Sequence, residues 1–387
     1  MKKLIALVLA VMMLVPAFAM AENVIKIGVF EPSTGDNGAG GKQEILGIEY
    51  ANSLKPTVTI GGVEYKVELD IQDNQSSTDK AKSAAQTLIS NGVSVILGSY
   101  GSSVCMAIGD DLVAAEVPAI GVSCTNPNVT LLCDYYWRIC FLDPFQGTVM
   151  ANFAKEQNAT KAYVLTMQGD DYGMGLGKYF VNAFKALGGE VVEENFLEGA
   201  SDFVGNINTA ISSGCDVIFA PCSTVYAALI IDQAAAQGVT FPLMAGDTWE
   251  SSVILNAAKG KNINVYCSTF FDENDTAAAA ADFVKGFKAW MNADSSKLTN
   301  NGGNDIVAAV SALGFDAYNV AIAAIEKAGS ADAKAIAEIL PTVEVEGVTG
   351  KISFDENGDA KKDMAYIKFA NPETVAFDFV KTQTVGE

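Results

Sequence analysis

Small polar residues follow two buried segments of the chain, and their chemistry suits a small anion. Residues 93–97 and 117–122 are short apolar runs rich in β-branched residues, which is typical of buried strands. The first run is followed by Ser102 and the second by Ser123-Cys124-Thr125. A helix over 104–115 between two parallel strands would leave both polar turns at the same edge of one sheet. Hydroxyls and free backbone N–H groups at that edge can converge on one small anion.

The second half of the chain repeats this arrangement with different polar groups. The segment SNGVSVIL at 90–97 is similar to SSGCDVIF at 212–219, and each is followed by a polar turn, a helix and a proline before the next strand. The repeat predicts two copies of one lobe. If the lobes face each other, the hydroxyl-bearing turns of the first oppose Tyr172, Cys222 and Asp247 of the second.

Alternating strands and helices position these residues. Apolar strands at 24–30, 65–72, 93–97 and 117–122 alternate with helical segments, and the alternation resumes at 162–167. This order predicts an α/β fold of two doubly wound, Rossmann-like lobes, each with a parallel sheet covered by helices on both faces. Near the end of the chain, the pattern predicts a long helix over 305–329. It also predicts strands over 348–354 and 365–369 around a hairpin turn at 355–358.

The composition excludes several classes of function. The chain has 387 residues, half of them hydrophobic, which is enough for two domains with sizeable cores. It contains no histidine, and this removes Ser-His-Asp and Cys-His nucleophile systems and the common histidine metal sites. The formal net charge of −21 is scattered along the chain and disfavours binding to nucleic acid. We therefore expect no catalytic residues, no metal and no nucleic-acid partner.

The first residues and the cysteines indicate the cellular compartment. Residues 1–21 have the pattern of a secretory signal peptide, with two lysines, an apolar core and Ala19-Met20-Ala21 before the cleavage site. No cysteine lies near that site, so we expect a periplasmic protein without a lipid anchor. Cys133 and Cys140 are close enough in sequence for a local disulfide, and the odd total of seven cysteines leaves at least one thiol unpaired.

An ordered set of short motifs runs through nearly the whole chain. The motifs are IKIGVFEPSTGDNG, GVSVILGSYGSS, VPAIGVSCTNP, LDPFQG, DDYGMGLG, GVTFPLMAGDTW and GVTGKISFDENGD. In this order they resemble the branched-chain amino-acid binding proteins of ABC transporters, the leucine/isoleucine/valine-binding family with the type I periplasmic-binding fold. The resemblance implies lobe I at 22–142 plus 271–348 and lobe II at 143–270 plus 349–387, joined by three hinge crossovers. It also implies a monomer that closes on an amino acid and delivers it to a membrane permease, without catalysis or a cofactor.

The resemblance assigns roles to single positions. Ser102, Ser123 and Thr125, with Cys124 between the last two, fall where the family holds the α-carboxylate of its ligand. Tyr172 and Asp247 fall where the second lobe covers the ligand and binds its α-ammonium group. Such residues are also common in turns, helix caps and packed cores, and Asp143 equally suits a cap at the first crossover.

Several positions depart from the family. A ligand-facing Tyr of the first loop corresponds to Gly40, and a second-lobe Tyr corresponds to Cys222. The shorter Asp247 stands in place of a Glu, while Tyr100 and Trp249 are candidates to refill the pocket. The ligand therefore stays open between a branched-chain amino acid, a larger or more polar one, and another small amine or acid.

Two other functions stay open at this level. One is a ligand-sensing module that presents a small amino-acid-like or acid ligand to a membrane receptor. The other is an exported hydrolase that would use Cys222, or Asp143 paired with Asp247, although the sequence offers no evident base.

Overall fold

The computed structural model describes residues 23–385 and shows two α/β lobes. The predicted signal peptide, residues 1–21, lies outside the described residues. The first lobe begins with β1 (Val24–Glu31), α1 (Gly38–Leu54), β2 (Thr57–Ile60), β3 (Val63–Asp73), α2 (Thr78–Ser90), β4 (Val95–Leu97), α3 (Ser102–Ala107), α4 (Gly109–Ala115), β5 (Ala119–Gly121), α5 (Asn128–Leu131) and β6 (Tyr136–Arg138).

The next residues form the second lobe, after which the chain crosses back to lobe I and then again to lobe II. The second lobe contains α6 (Asp143–Glu156), β7 (Lys161–Met167), α7 (Asp171–Ala186), β8 (Glu190–Phe196), α8 (Val204–Ser212), β9 (Val217–Phe219), α9 (Thr224–Ala236), β10 (Leu243–Ala245), a 3₁₀ turn (Asp247–Trp249), α10 (Ser252–Ala258) and β11 (Val265–Thr269). The return to lobe I contains α11 (Ala278–Asn292), α12 (Ser295–Asn300), α13 (Ala309–Ala328), α14 (Ala333–Ile339), a 3₁₀ turn (Leu340–Thr342), β12 (Glu344–Gly347) and β13 (Gly350–Ser353). The strands β14 (Met364–Asn371) and β15 (Ala376–Thr384) complete lobe II.

The parallel parts of the two sheets share one strand order. The first sheet is ordered β2-β3-β1-β4-β5-β6, and all its neighbours are parallel except β2 and β3. The second is ordered β15-β14-β11-β10-β9-β7-β8, parallel from β11 to β8 and antiparallel at β14 and β15. The repeat seen in the sequence places β4 and β9 at equivalent positions, each beside the first strand of its lobe. The predicted pair of doubly wound α/β lobes is confirmed.

Three crossovers join the lobes. The first ends where α6 begins at Asp143, and the second follows β11. The third comes after Ala360, because Ala360 N–H donates to the carbonyl of Arg138 at 3.0 Å and the Asp359 carboxylate binds the Arg138 guanidinium. The predicted boundary between 348 and 349 therefore precedes the observed crossover, since the buried ion pair keeps residues up to 360 on lobe I.

Some predicted elements differ from the observed ones. The helix predicted over 104–115 is divided into α3 and α4 at Ile108. The helix predicted from 305 begins at Ala309, because the Asn301 side chain donates to the carbonyls of Asn304 and Ile306 at 2.9 and 2.8 Å and holds this segment as a loop. The turn at 355–358 forms, but β13 pairs with β12 while β14 pairs with β11 and β15.

The helices α1 and α13 pack through glycines on both sides. By length and composition α13 could cross a membrane, but most of it is buried inside the protein, as in a core helix. A Cβ atom on Gly47 would lie well inside van der Waals distance of the Ser311 carbonyl oxygen. One on Gly314 would clash in the same way with the carbonyl oxygen of Glu44. This close approach fixes where the first turns of α1, and with them Glu44, sit in lobe I.

We predict that Gly47→Ala lowers the free energy of unfolding by about 1–3 kcal/mol, because the added methyl group forces two helix backbones apart. Urea denaturation followed by circular dichroism measures the change. The matched control is Gly205→Ala in α8, where an added Cβ meets nothing within 4 Å. An equal loss of stability in both variants would contradict the role of this contact.

Candidate functional site

The two lobes enclose a cleft of about 530 Å³ at the carboxyl ends of their parallel strands. In each sheet the chain order reverses beside the first strand, and ligands of such sheets bind at that switch point. Loops that follow β1, β3, β4 and β5 form one wall, and loops that follow β7, β8, β9 and β10 form the other. The residues lining the cleft are Gly35, Asp36, Asn37, Gln75, Ser76, Ser77, Thr78, Asp79, Tyr100, Gly101, Ser102, Ser103, Val104, Ser123, Met167, Gly169, Asp170, Tyr172, Glu198, Ser223, Asp247 and Thr248.

Ser102 and Ser123 present hydroxyl groups on the lobe I wall. The Ser102 hydroxyl accepts a hydrogen bond from the backbone N–H of Asn126 at 3.1 Å, so its own proton is free for a further partner. The Ser123 hydroxyl donates to the carboxyl group of Glu44, which is fully buried in α1. Each hydroxyl is therefore oriented by a second group behind the cleft surface.

Tyr100 fills space left by Gly40, which lies in the first turn of α1 rather than in a loop. An added Cβ on Gly40 would overlap the Tyr100 ring, so the ring occupies the volume next to α1. The Tyr100 backbone N–H donates to the Glu31 carboxylate at 2.7 Å. Glu31 lies at the end of β1, is fully buried and contacts Glu44.

Asp247 and Tyr172 face the first wall from lobe II. One Asp247 oxygen accepts from the Gln146 side-chain amide at 2.9 Å and from the Tyr172 hydroxyl at 3.4 Å. The Tyr172 hydroxyl also lies 3.3 Å from that of Thr248. These bonds hold Asp247 at the floor of the cleft, and both of their donors are uncharged groups.

The acidic groups around the cleft repel one another and are poorly hydrated. Burial raises the pKa of Asp247 to about 7 and that of Asp170 to about 6. Burial also raises the pKa of Glu44 to about 8, and the nearby charge of Asp247 adds to this rise. Asp143 behaves similarly, since burial raises its pKa to about 8 and Asp247 again contributes. A cation among these groups would favour their charged forms.

The lobes touch at one side of the cleft. The Asn126 side-chain amide donates to the backbone carbonyl of Asp171 at 2.8 Å. The Asp171 N–H donates in turn to the Ser103 hydroxyl at 3.2 Å. These bonds join the turn after β5 and the start of α3 to the first residue of α7, so this is a conformation in which the two walls have already come together.

Five of the eight residues singled out in the sequence line this one cleft: Tyr100, Ser102, Ser123, Tyr172 and Asp247. The other three do not. Cys124 is in the lobe I core with its sulfur against Gly121 and its carbonyl bound by Arg138, and Cys222 is buried behind Thr248, which donates to the Cys222 carbonyl at 3.2 Å. Thr125 is fully buried, and its hydroxyl lies against the Asp143 carboxyl group.

Sequence reasoning missed Glu31, Glu44 and Gln146, which support the cleft from behind. Glu44 shares one face of α1 with Gly47, Ile48 and Ala51, so a carboxyl group on an apolar helix face was the available signal. No comparable signal marked Gln146, whose amide also donates to the Ser268 hydroxyl at 3.1 Å.

Neither a disulfide nor a cluster suited to a metal is found in the described part of the chain. All seven cysteines are unpaired and buried, including Cys133 and Cys140. Residues 23–385 contain no group of three or more cysteine, aspartate or glutamate side chains that could hold a metal ion.

Comparisons with known proteins agree with this architecture. The family model described as "Periplasmic binding protein" matches residues 24–371. A leucine binding protein LivK from Thermotoga maritima superimposes with a TM-score of 0.83 at 33% identity, over 93% of this chain and 99% of that one. LivJ from Streptococcus pneumoniae, in complex with isoleucine, gives a TM-score of 0.81 at 26% identity over 94% of this chain and 99% of that one.

Similar sequences and a more distant structure extend the comparison. "Leu/Ile/Val-binding protein homolog 3" of Brucella melitensis is 26% identical over 87% of this chain and 88% of its own length. A solute-binding protein of an ABC transporter from R. palustris, in complex with benzoate, gives a TM-score of 0.80 at 18% identity, over 94% of this chain and 98% of that one, which is a likeness of fold alone. The resemblance inferred from the sequence motifs is confirmed.

We predict that the protein without added ligand loses stability as the pH rises from about 5 to about 8. Glu44 has a raised pKa in the folded state, so the folded protein binds more protons than the unfolded chain across this window, and stability falls with pH. Glu44→Gln keeps an acceptor for Ser123 and removes the ionisation. Its unfolding free energy should fall less steeply, by up to about 1.4 kcal/mol per pH unit, and exceed that of the unmodified protein at pH 8.

Urea denaturation at a series of pH values measures this difference. Glu356→Gln, on the exposed surface, controls for the change in net charge alone. Parallel pH profiles for Glu44→Gln and the unmodified protein would contradict the prediction.

Proposed function

The chain belongs to the periplasmic binding protein family, and from that premise we propose that it is an extracytoplasmic solute-binding protein of an ABC importer that binds an amino acid between its lobes. The observation that carries the proposal is one cleft in which the Ser102 and Ser123 hydroxyl groups of lobe I face a buried carboxylate of lobe II. That pairing of donors and acceptors matches the two charged ends of a free amino acid.

The carboxylate of the amino acid is bound on the lobe I side. Ser102 has a hydroxyl proton that no other contact uses, and Ser123 lies beside it at the end of the next strand. The Ser123 hydroxyl donates to Glu44, so this carboxyl group holds Ser123 in place at the cleft surface. Thr125 contributes from a position behind these two residues.

The ammonium group is bound on the lobe II side. Asp247 offers a carboxylate oxygen, and the Tyr172 ring closes the cleft next to it. A hydrogen bond between charged groups contributes roughly 1.5–3 kcal/mol, which is enough to select molecules with this end group. Cys222, predicted as a possible contact, acts through the shape of the Thr248 segment rather than through its thiol.

The protein works as a carrier and not as a catalyst. Burial raises the pKa of Cys222 well above its ordinary value, which is the opposite of what a thiolate nucleophile requires. The lobes close by rotation at the three crossovers, and the closed monomer delivers its ligand to the membrane permease. Export through the signal peptide at residues 1–21 places this cycle in the periplasm.

We predict that Asp247→Asn weakens amino-acid binding by ten-fold or more, about 1.4–3 kcal/mol, because the ammonium group loses its counter-charge. The substitution keeps an oxygen for the Gln146 and Tyr172 bonds, so it isolates the effect of charge. A thermal-shift screen of the free amino acids selects the ligand, and calorimetric titration measures the affinity. Stabilisation by no amino acid in the unmodified protein would remove the proposed function, and an unchanged affinity in the variant would remove Asp247 from the site.

We predict that amino-acid binding near pH 7 releases protons and weakens as the pH falls from 8 to 5.5. The ammonium group favours charged Asp247, whose pKa in the free protein is raised to about 7, so binding displaces a proton. The acidic neighbours of Asp247 reinforce the effect: Glu44, Asp143 and Glu250. Titration calorimetry in two buffers of different ionisation enthalpy gives the number of protons, and net proton uptake would contradict the prediction.

A further inference from the structure

Beyond Ser102 and Asp247, the wall of the cleft is mainly polar. Among the described residues that line it, Val104, Met167 and the rings of Tyr100 and Tyr172 are the large apolar side chains. The others are chiefly glycines, amides, hydroxyl groups and carboxylates. A branched aliphatic side chain would therefore find little apolar surface against which to be buried.

Carboxylates from both lobes line this remaining part of the cleft. Asp36 and Asp79 come from lobe I, while Asp170 and Glu198 come from lobe II. Within residues 23–385, no lysine or arginine lines the cleft to balance them. Closure brings these like charges toward one another, which is unfavourable unless a cation lies between them.

A second observation concerns two buried polar residues behind Asp247, outside the lining of the cleft. Asp143 is fully buried, and its carboxyl group lies against the Thr125 hydroxyl and close to Asp247. The side-chain oxygen of buried Gln146, whose amide binds Asp247, has no hydrogen-bond partner in the described structure. The Gln146 oxygen is thus an acceptor without a donor next to Asp247, and Asp143 adds a further acidic group there.

We propose that the cleft binds an amino acid whose side chain ends in a cation, of the lysine, ornithine or arginine type. The proposal rests on the proposed function, because the α-carboxylate and α-ammonium groups occupy the Ser102 and Asp247 ends described above. The side-chain cation then lies among Asp36, Asp79, Asp170 and Glu198. Binding neutralises the facing carboxylates, so the ligand itself stabilises the closed state.

Calorimetric titration of the purified protein with L-lysine and L-norleucine tests the proposal at low and at high salt. Norleucine has the same carbon chain without the terminal ammonium group, so the comparison isolates the charge. We expect lysine, ornithine or arginine to bind at least about ten-fold more tightly than norleucine and leucine, with a difference that shrinks as salt is added.

A pair of double variants separates local from overall charge. Asp79→Asn with Glu198→Gln removes two carboxylates at the mouth of the cleft, one in each lobe. Glu356→Gln with Glu373→Gln makes the same change of net charge at exposed positions away from the cleft. We expect the first pair to weaken binding of the cationic amino acid by about three-fold to ten-fold and to leave norleucine unchanged, while the second pair alters neither.

The possible failures are distinguishable. Tight binding of leucine or isoleucine with no preference for a cationic side chain would overturn this proposal and leave the proposed function standing. Binding of no amino acid would overturn both. Cadaverine binding as tightly as lysine would show that the carboxylate end is not recognised, which would also overturn both, and equal effects of the two double variants would overturn the placement of the side-chain cation.

Discussion

The carboxylates gathered between the two lobes, with no lysine or arginine among the described residues that line the cleft, are the constraint on which the site depends. The chain has 46 acidic residues and 25 basic ones, and Arg138 is its single arginine. That arginine is fully buried and committed to Asp359 and to backbone carbonyls of residues 124 and 126. In the proposed function, the counter-charge for the cleft arrives with the ligand, and the energy of closing is linked to its binding.

The buried cations Arg138 and Lys368 form ion pairs near the crossovers between the lobes and do not line the cleft. Lys368 on β14 binds Glu250, and the other oxygen of Glu250 accepts from the Thr269 hydroxyl at 2.8 Å and from the Ala309 N–H at 2.9 Å. One carboxylate thus connects lobe II to the first residue of α13, which belongs to lobe I. Glu250 follows Asp247 by a single short turn, so a carboxylate that lines the cleft and the contact between the lobes share one segment.

The sequence predicted the fold and the residues that line the cleft better than it predicted the buried residues behind the cleft. Apolar runs such as 93–97 are buried on both faces of a sheet, and the topology of parallel sheets then brings Ser102 and Ser123 together whatever the details of packing. Cys124 was misjudged because successive residues in an extended turn point to opposite sides, and its sulfur turns into the core. The third crossover was predicted at residue 348, before its observed position after Ala360. The ion pair of Arg138 and Asp359 joins residues far apart in sequence, so no local sequence pattern indicates it. Gln146 was missed for the same reason, since its partners come from β11 and the 3₁₀ turn.

The same framework accommodates different ligands in the structures that this chain resembles, so the fold alone does not select one. The negative charge of the cleft restricts the class of ligand that it can bind. An acid without an amine, such as benzoate, would bring a carboxylate toward Asp247 in a cleft that lacks a basic side chain among its described residues. In the proposed binding mode, a neutral aliphatic amino acid would satisfy Asp247 and leave the carboxylates of Asp36, Asp79, Asp170 and Glu198 unbalanced. A ligand with a second positive charge would satisfy both ends, and closing the lobes around it would remove a repulsion rather than create one.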